Sequence, residues 1–207
     1  MKLKYGELDT LEKELEKLSP LHRIAFAAAC CERLYPNYGI IVREMKQMLP
    51  DEPNHLRTAL DKIWEYLAER NIDATTFRQL ISDCEGYHYY EEIYNAEAQR
   101  TLEAIICALE LCLEPTARNA IAVLRQIDET LFEYLDGEMD NKDPNWNKKS
   151  HFEVLNIISN HPFTIREMNQ QTEDLKKLKE ISSFNREFLN LLRNSSNNQG
   201  KSLLDLS

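Results

Sequence analysis

Glycine and proline are scarce in this sequence, with five Gly and seven Pro among 207 residues. β-Sandwiches and barrels need many tight turns, and those turns depend on residues such as Gly and Pro. Gly is also needed where a backbone approaches a phosphate group closely, so nucleotide-binding loops are disfavoured too. Leu, Glu, Ala, Lys and Arg are abundant instead, which predicts an all-α protein without a sheet.

The sequence has fewer positive than negative side chains. Its 25 Lys and Arg and its 35 Asp and Glu give a formal net charge of −10. Proteins that bind nucleic acid rely on Lys and Arg to displace counterions from phosphates. We therefore expect no nucleic-acid partner. The same charge suits a basic protein partner through long-range attraction, although acidity of this degree is also ordinary for a bacterial protein.

Long apolar runs are missing as well. No segment approaches the ~18 consecutive apolar residues of a membrane-spanning helix. The N-terminal residues Met1–Glu7 lack the apolar core of a signal peptide and turn acidic at once. These absences predict a cytoplasmic protein with no membrane partner.

The five cysteines form neither a C-x-x-C pair nor a zinc-finger spacing. Four of them, Cys30, Cys31, Cys107 and Cys112, lie in apolar helical runs. Buried reduced thiols explain this pattern better than a disulfide framework. We predict no metal site and no cofactor.

Hydrophobic periodicity predicts a single-domain bundle of about eight or nine helices. Its centre is a long hairpin of two helices, at 91–114 and 116–135. Ser19 and Pro20 form a typical helix start, and Pro36 is predicted to end the helix that begins there.

The C-terminal third yields three further predictions. Residues 136–145 are polar, acidic and turn-rich, which predicts a mobile surface loop. Thr164 to Glu167 match a capping box that opens a helix running to about Arg193. The domain is therefore predicted to span 1–193, followed by a polar, disordered tail at 194–207.

Two segments identify a family. Residues Cys31-Glu32-Arg33-Leu34-Tyr35-Pro36-Asn37-Tyr38 and the later Ile63-Trp64-Glu65 resemble the YjaG-like family of bacterial proteins, a domain of unknown function numbered 416. The resemblance covers most of residues 8–193 and implies an all-helical fold and a cytosolic bacterial origin. It implies no catalytic or binding residue.

Two E-x-x-H strings suggest the ligand spacing of carboxylate-bridged di-iron bundles. They are Glu52 to His55 and Glu85 to His88. The first contains Pro and the second contains Gly, so neither is expected in the middle of a helix. Chance explains these strings better than a metal site does.

Glu32 and Arg33 follow an apolar helix, and Glu65 adjoins Trp64. A buried Glu–Arg pair under an aromatic cover is one interpretation, and it is either a structural clamp or a binding site. We favour the clamp. In a site, Glu32 and Glu65 would be the acid or base candidates and Arg33 would hold an anion.

Tyrosines supply the remaining candidate binding residues. Tyr38, next to Pro36, is one, although an aromatic residue at a helix end more often packs into the bundle. Tyr87, Tyr89 and Tyr90 lie together with Tyr94 in a predicted loop and helix start. Such a cluster is difficult to bury and favours a protein interface.

No nucleophile signature, Walker loop, dinucleotide fingerprint or H-E-x-x-H motif occurs, so no catalytic residue is assigned. We expect a non-catalytic protein-interaction module that holds a basic partner, as an immunity protein neutralises a toxin. The alternative is a small-molecule or metal-dependent enzyme with a carboxylate-lined pocket between helices. A third interpretation is a homo-oligomer that associates through an apolar stripe after residue 164.

Overall fold

The structure is a computed structural model that describes residues 2–45, 55–71, 73–86, 96–196 and 203–205, without the side chains of 39–45 and 196. Within these ranges it contains nine α-helices and no β-strand. The predicted all-α fold class is confirmed. The helices, in chain order, are α1 Leu8–Glu16, α2 Pro20–Met45, α3 His55–Glu69, α4 Ala74–Glu85, α5 Ala96–Leu113, α6 Ala117–Lys142, α7 His151–Ser159, α8 Pro162–Glu180 and α9 Arg186–Ser196.

Helix α2 is the centre of the bundle. It packs against α3, α5, α6, α8 and α9, while α5 and α6 form the most extensively packed pair. The residues from Ala25 to Cys31 are fully buried, since small side chains there let neighbouring helices approach on every side. The predicted central hairpin is present as α5 and α6.

Side-chain caps fix several helix starts. Asp73 accepts a hydrogen bond from the Thr76 backbone N–H at 2.9 Å, and Thr116 accepts one from Asn119 at 3.1 Å. Ser150 and Glu153 form a full capping box at α7. Each cap satisfies backbone donors that the first helical turn leaves unpaired.

Pro36 does not end its helix, contrary to the prediction, because α2 continues through it to Met45. A proline inside a helix removes one backbone hydrogen bond and costs about 3 kcal/mol. Burial on both sides of Pro36 offsets this cost, since Leu34 and Tyr38 are at most 3% exposed. Tertiary packing overrides the local preference here.

The predicted surface loop at 136–145 is also wrong. Helix α6 continues through Gly137 to Lys142, and only then do residues 146–148 form a 3₁₀ turn. Asp136 accepts a hydrogen bond from the indole N–H of Trp146 at 2.8 Å. Trp146 is buried beside Leu135, Val154 and Ile158, and this packing holds the last turns of α6 in helical form.

The helix predicted from Thr164 to about Arg193 is two helices, and it does not begin with the predicted capping box. The side chain of His161 caps α8 instead, and Thr164 is fully buried in the first turn. The break at 181–185 follows a tertiary contact, because the His22 ring lies 2.8 Å from the Ile181 carbonyl oxygen. The Asn185 side chain then caps α9 by accepting a hydrogen bond of 2.7 Å from the Phe188 backbone N–H.

The apolar stripe proposed for self-association mostly faces the parent bundle. Met168, Leu175 and Leu178 are buried, while Ile165 is 42% exposed. None of the helices in the described ranges is both long and apolar enough to cross a membrane.

The predicted tail is only partly described. Helix α9 continues to Ser196, three residues past the predicted domain boundary. Leu203 and Leu204 are each 2% exposed and belong to the main core. The boundary at residue 193 stays a prediction, but these two leucines pack with the domain.

Candidate functional site

Glu32 and Arg33 are neighbours on α2, yet their side chains face different helices. Successive residues of an α-helix project about 100° apart, so adjacent side chains reach different neighbours. Arg33 faces α8, and Glu32 faces α3 and α9. The predicted Glu32–Arg33 pair therefore does not form, and each residue instead centres its own ionic network.

The Arg33 network is buried between α2 and α8. The Arg33 guanidinium binds Glu167 through two parallel hydrogen bonds, Nε–Oε2 at 2.7 Å and Nη2–Oε1 at 2.8 Å. Its Nη1 group donates to Asp174 Oδ2 at 2.8 Å and to the Ala29 carbonyl at 3.2 Å. All three charged side chains are at most 5% exposed.

Two carboxylates thus share one buried guanidinium, and Lys177, which is 31% exposed, lies 3.9 Å from Asp174 Oδ1. Gln171 donates to Glu167 at 2.9 Å, and Gln170 donates to Asp174 at 2.9 Å, which satisfies further lone pairs. Burial still raises the pKa of Asp174, although the Arg33 charge opposes that shift. Fixing α8 on α2 is the role that these contacts support.

Unpaired polar atoms lie next to this network. The Asn37 amide and the Thr164 hydroxyl are buried, and neither has a hydrogen-bond partner within the described ranges. The Nη1 group of Arg33 bonds both to Asp174 and to the Ala29 carbonyl, which lies one turn earlier on α2. Its Nε group bonds to Glu167, so the earlier residue of α8 lies beside the later part of α2 and the two helices run antiparallel. That register places Asn37, one turn after Arg33, near the start of α8 where Thr164 lies.

The Glu32 network joins α2 to α3 and α9. Arg57 binds Glu32 through two hydrogen bonds, both 2.9 Å long. The indole N–H of Trp64 donates to Glu32 Oε1 at 2.8 Å, and Arg193 Nε lies 3.0 Å from the same oxygen. The predicted proximity of Glu32 and Trp64 is therefore present in the structure.

Asp61 completes the Glu32 network by bonding to both arginines. Two carboxylates balance two guanidinium groups in this network. Arg57 also lies 4.9 Å from the ring centre of Tyr35 and Arg193 lies 6.0 Å from that of Trp64. These cation–π contacts orient the guanidinium groups between two helices.

A cleft of about 300 Å³ opens at the edge of the Glu32 network, between α3 and α9. Asp61, Trp64 and Ala68 form one wall, and Arg186, Leu189 and Arg193 form the other. Glu65 also lines the cleft and pairs with Lys62 at 2.6 Å. Both charge signs are present on the walls of this cleft.

The remaining predicted site residues are four tyrosines, and the structure describes one of them. Tyr38 is 3% exposed and packs in the core beside Tyr35, with 6.4 Å between ring centres. Tyr87, Tyr89 and Tyr90 lie outside the described residues, as do Glu52 and His88. His55 is the first residue of α3, and Glu85 is the last residue of α4.

Several network residues were missed from sequence. Glu167, Gln171 and Asp174 interrupt the apolar face of α8 at the same spacing as Met168, Leu175 and Leu178. Polar residues inside a buried helical stripe are a detectable signal of an internal network. Arg57 and Asp61 carried the weaker signal of an i, i+4 charge pair, and Arg193 carried none.

A second candidate surface lies on the outer face of α5 and α6, where glutamates surround Arg100. Glu133 binds it at 2.6 Å, Glu129 at 2.8 Å and Glu103 at 3.2 Å. These three side chains are between 34% and 38% exposed. The three carboxylates outnumber the single guanidinium, so this face keeps surplus negative charge.

None of the cysteines has the character of a reactive thiolate. All five are free, and burial raises the pKa of each thiol, to about 11 in Cys107 and to about 12 in Cys84. In the parts of the chain that the structure describes, no group of three or more His, Cys, Asp or Glu side chains is arranged to hold a metal ion.

Comparison with protein families gives one match across nearly the whole chain. Residues 10–207 match the family described as "Protein of unknown function (DUF416)". The matched range includes the predicted tail.

Two relatives agree with this match. An "Uncharacterized protein" of Haemophilus influenzae is 28% identical over 105 residues, which is 48% of this chain. The chain spans about half of that relative, 53% of its length. The crystal structure of a DUF416 family protein from Shewanella baltica has a TM-score of 0.76 at 19% identity, covering 95% of this chain and 97% of that one. At that identity the likeness shows the fold alone.

Proposed function

The chain belongs to the DUF416 family of proteins of unknown function, and we propose that it is a non-catalytic module that binds a basic partner protein in the cytoplasm. The observation that carries the proposal is the arrangement of glutamates around Arg100. Glu103, Glu129 and Glu133 already bind one guanidinium there, so the same surface is suited to the Lys or Arg side chains of a partner.

The charge distribution supports this surface. Residues 96–143, which span α5 and α6, contain eleven Asp and Glu and four Lys and Arg. This one hairpin therefore carries most of the chain's net charge of −10. A concentrated field of one sign steers a partner of the opposite sign and weakens as salt rises. An immunity protein would hold a basic toxin in this way.

The tyrosine cluster belongs to the proposed contact by its place in the chain. Tyr87, Tyr89, Tyr90 and Tyr94 come directly before α5, which begins at Ala96 and carries Arg100 one turn later. Tyrosine is enriched at the centres of protein interfaces because its ring buries much area while its hydroxyl still bonds. We propose that these tyrosines supply the apolar part of the contact.

Affinity capture of the full chain from its native cytosol tests the proposal. We expect one basic protein at near-equal stoichiometry, eluted by raised salt. Changing Glu129 and Glu133 to Gln lowers the recovery of this partner, because Arg100 then neutralises Glu103, the carboxylate that remains. Changing Tyr89 and Tyr90 to Ala lowers it without changing the salt dependence.

The matched control changes Glu173 and Glu180 of α8 to Gln. Both are exposed, and this variant has the same net charge as the first. Equal loss of the partner from both charge variants would show that net charge alone attracts it. Capture without any stoichiometric protein would refute the proposal.

The second candidate is an enzyme or carrier that binds a small molecule or metal. The cleft between α3 and α9 favours it, since Asp61 and Glu65 give that cleft two carboxylates and Trp64 gives it an aromatic wall. Elemental analysis of the captured protein separates the two functions. Stoichiometric metal without a protein partner would replace the first proposal by the second.

A further inference from the structure

The three described residues of the C-terminal segment are bound to the domain like a short peptide. Leu203 and Leu204 are each 2% exposed within the main core. Both lie outside helical structure, so their burial comes from insertion into a site that the rest of the domain provides. Asp205 follows at the surface and is 36% exposed.

A single arginine of α8 holds this segment. Arg166 Nη1 donates to both carboxylate oxygens of Asp205 at 3.0 Å, and Nη2 donates to the Leu203 carbonyl at 2.6 Å. The guanidinium lies 5.3 Å from the ring centre of Phe163, which restricts its orientation. Arg166 therefore binds both the backbone and the acidic side chain of the segment.

Buried side chains combined with one charged clamp are the features by which domains recognise short linear peptides. The segment is joined to α9 by only six residues, 197–202. A short link gives an effective concentration on the order of millimolar, so even a weak intrinsic contact keeps the site filled. A competing peptide needs the same chemistry and a high local concentration or a tighter fit.

From this geometry we propose that the surface around Arg166 and Phe163 is a peptide-docking site, which the chain's own Leu203, Leu204 and Asp205 occupy. Its external ligand is a partner segment with two adjacent large aliphatic residues followed by an acidic residue. The site lies on α8 and not on the acidic hairpin of α5 and α6. Its test is therefore independent of the test for the proposed basic partner.

The test uses a fluorescent peptide with the sequence of residues 201–207 and the full chain with Leu203→Ser and Leu204→Ser. We expect the peptide to bind this variant at least about tenfold more tightly than it binds the wild type, whose site is occupied. Adding Arg166→Ala weakens binding by about tenfold or more, whereas Lys176→Ala, which removes an exposed cation of the same helix, leaves it unchanged.

A second measurement uses the unmodified chain. Excess peptide should speed hydrogen exchange at residues 203–205, because it displaces the tethered segment, and a peptide with Asp205→Asn should do so less. Unfolding of the double-serine variant, or unchanged exchange at saturating peptide, would overturn the proposal and make the segment a fixed part of the core. Dimers of the unmodified chain would overturn the choice of partner, because a second copy would then be the ligand.

Discussion

The Arg33 and Glu32 networks start from adjacent residues of α2 but have opposite settings. The Arg33 network lies between two helices and keeps Arg33, Glu167 and Asp174 at most 5% exposed, with Lys177 3.9 Å from Asp174 at its edge. The Glu32 network joins three helices, balances two carboxylates with two guanidinium groups, and borders an open cleft. Two adjacent side chains that project in different directions from one helix therefore centre a buried ionic cluster and a cluster that reaches the surface.

This difference shows why an ionic network alone does not identify a functional site. A buried network has no open side chain to offer a ligand, and removing its central cation leaves a buried carboxylate without compensation. A network that reaches a cleft is screened by water and has side chains available to a ligand. The two networks should therefore respond differently to substitution, salt and pH.

The largest expected effect is that of Arg33→Met. Glu167 would remain buried without a cation and Asp174 would keep only Lys177, 3.9 Å away, and such a loss destabilises by about 3–5 kcal/mol. Urea unfolding followed by circular dichroism measures it as a lowered midpoint with an unchanged slope.

A triple variant tests the cause of this effect. Arg33→Met combined with Glu167→Met and Asp174→Leu removes every buried charge and leaves Lys177 free to reach solvent, so most of the lost stability should return. A triple variant as unstable as the single one would show that packing of the Arg33 stem, and not charge, holds α8.

A smaller effect is expected from Glu32→Gln. The amide still accepts the Trp64 N–H, but Arg57 and Arg193 lose their shared carboxylate, which costs about 1–3 kcal/mol. The effect should shrink in 1 M salt, since this network borders solvent, while that of Arg33→Met should not. Glu65→Gln, at a side chain that is 40% exposed, is the control and should change stability by about 0.5 kcal/mol or less. Equal salt dependence for Glu32 and Arg33 would contradict the comparison.

The pH dependence of stability should reveal the burial of Asp128 on α6. Burial raises the pKa of Asp128 to about 7, and the negative charge of Glu167 adds to this rise. The hydrogen bond from the Gly6 N–H to Asp128 opposes it. A carboxyl with a raised pKa binds its proton more tightly in the folded state. Its contribution is therefore complete below about pH 4 and is lost as the pH rises towards 7.

Comparison with Asp128→Asn isolates that contribution. As the pH falls from 7 to 4, the wild type should gain stability relative to the variant, with a slope below ~1.4 kcal/mol per pH unit. Parallel stability curves for the two proteins would show that Asp128 titrates normally.

The smallest expected effect is that of Asn37→Leu. The Asn37 amide is buried, and no described residue bonds to it, so an apolar side chain of similar size should leave stability unchanged or raise it by about 1 kcal/mol. Thr101→Val is the contrast, because that hydroxyl donates to the Glu97 carbonyl at 2.8 Å, and its loss should lower stability by about 1 kcal/mol. A loss on Asn37→Leu would indicate a buried water at Asn37.

Part of the candidate site was predictable. The apolar helix ending in Glu32 and Arg33, together with Trp64 one helix later, led to a buried ionic contact under an aromatic ring, and Trp64 does bond to Glu32. The partners of Arg33 were not predictable with the same rules. Glu167 lies 134 residues away, and its position after Thr164 suggested a capping box that local geometry would have allowed.

The sequence by itself determined the helical class and the central hairpin, because both depend on composition and on periodicity within a single segment. Only the tertiary structure decided that Pro36 and Gly137 lie inside helices, that Arg33 faces α8, and that Leu203 and Leu204 pack into the core. Those outcomes depend on burial and charge contributed by residues far away in the chain. Such contacts outweigh local preferences of about 1–3 kcal/mol, and no short stretch of sequence contains them.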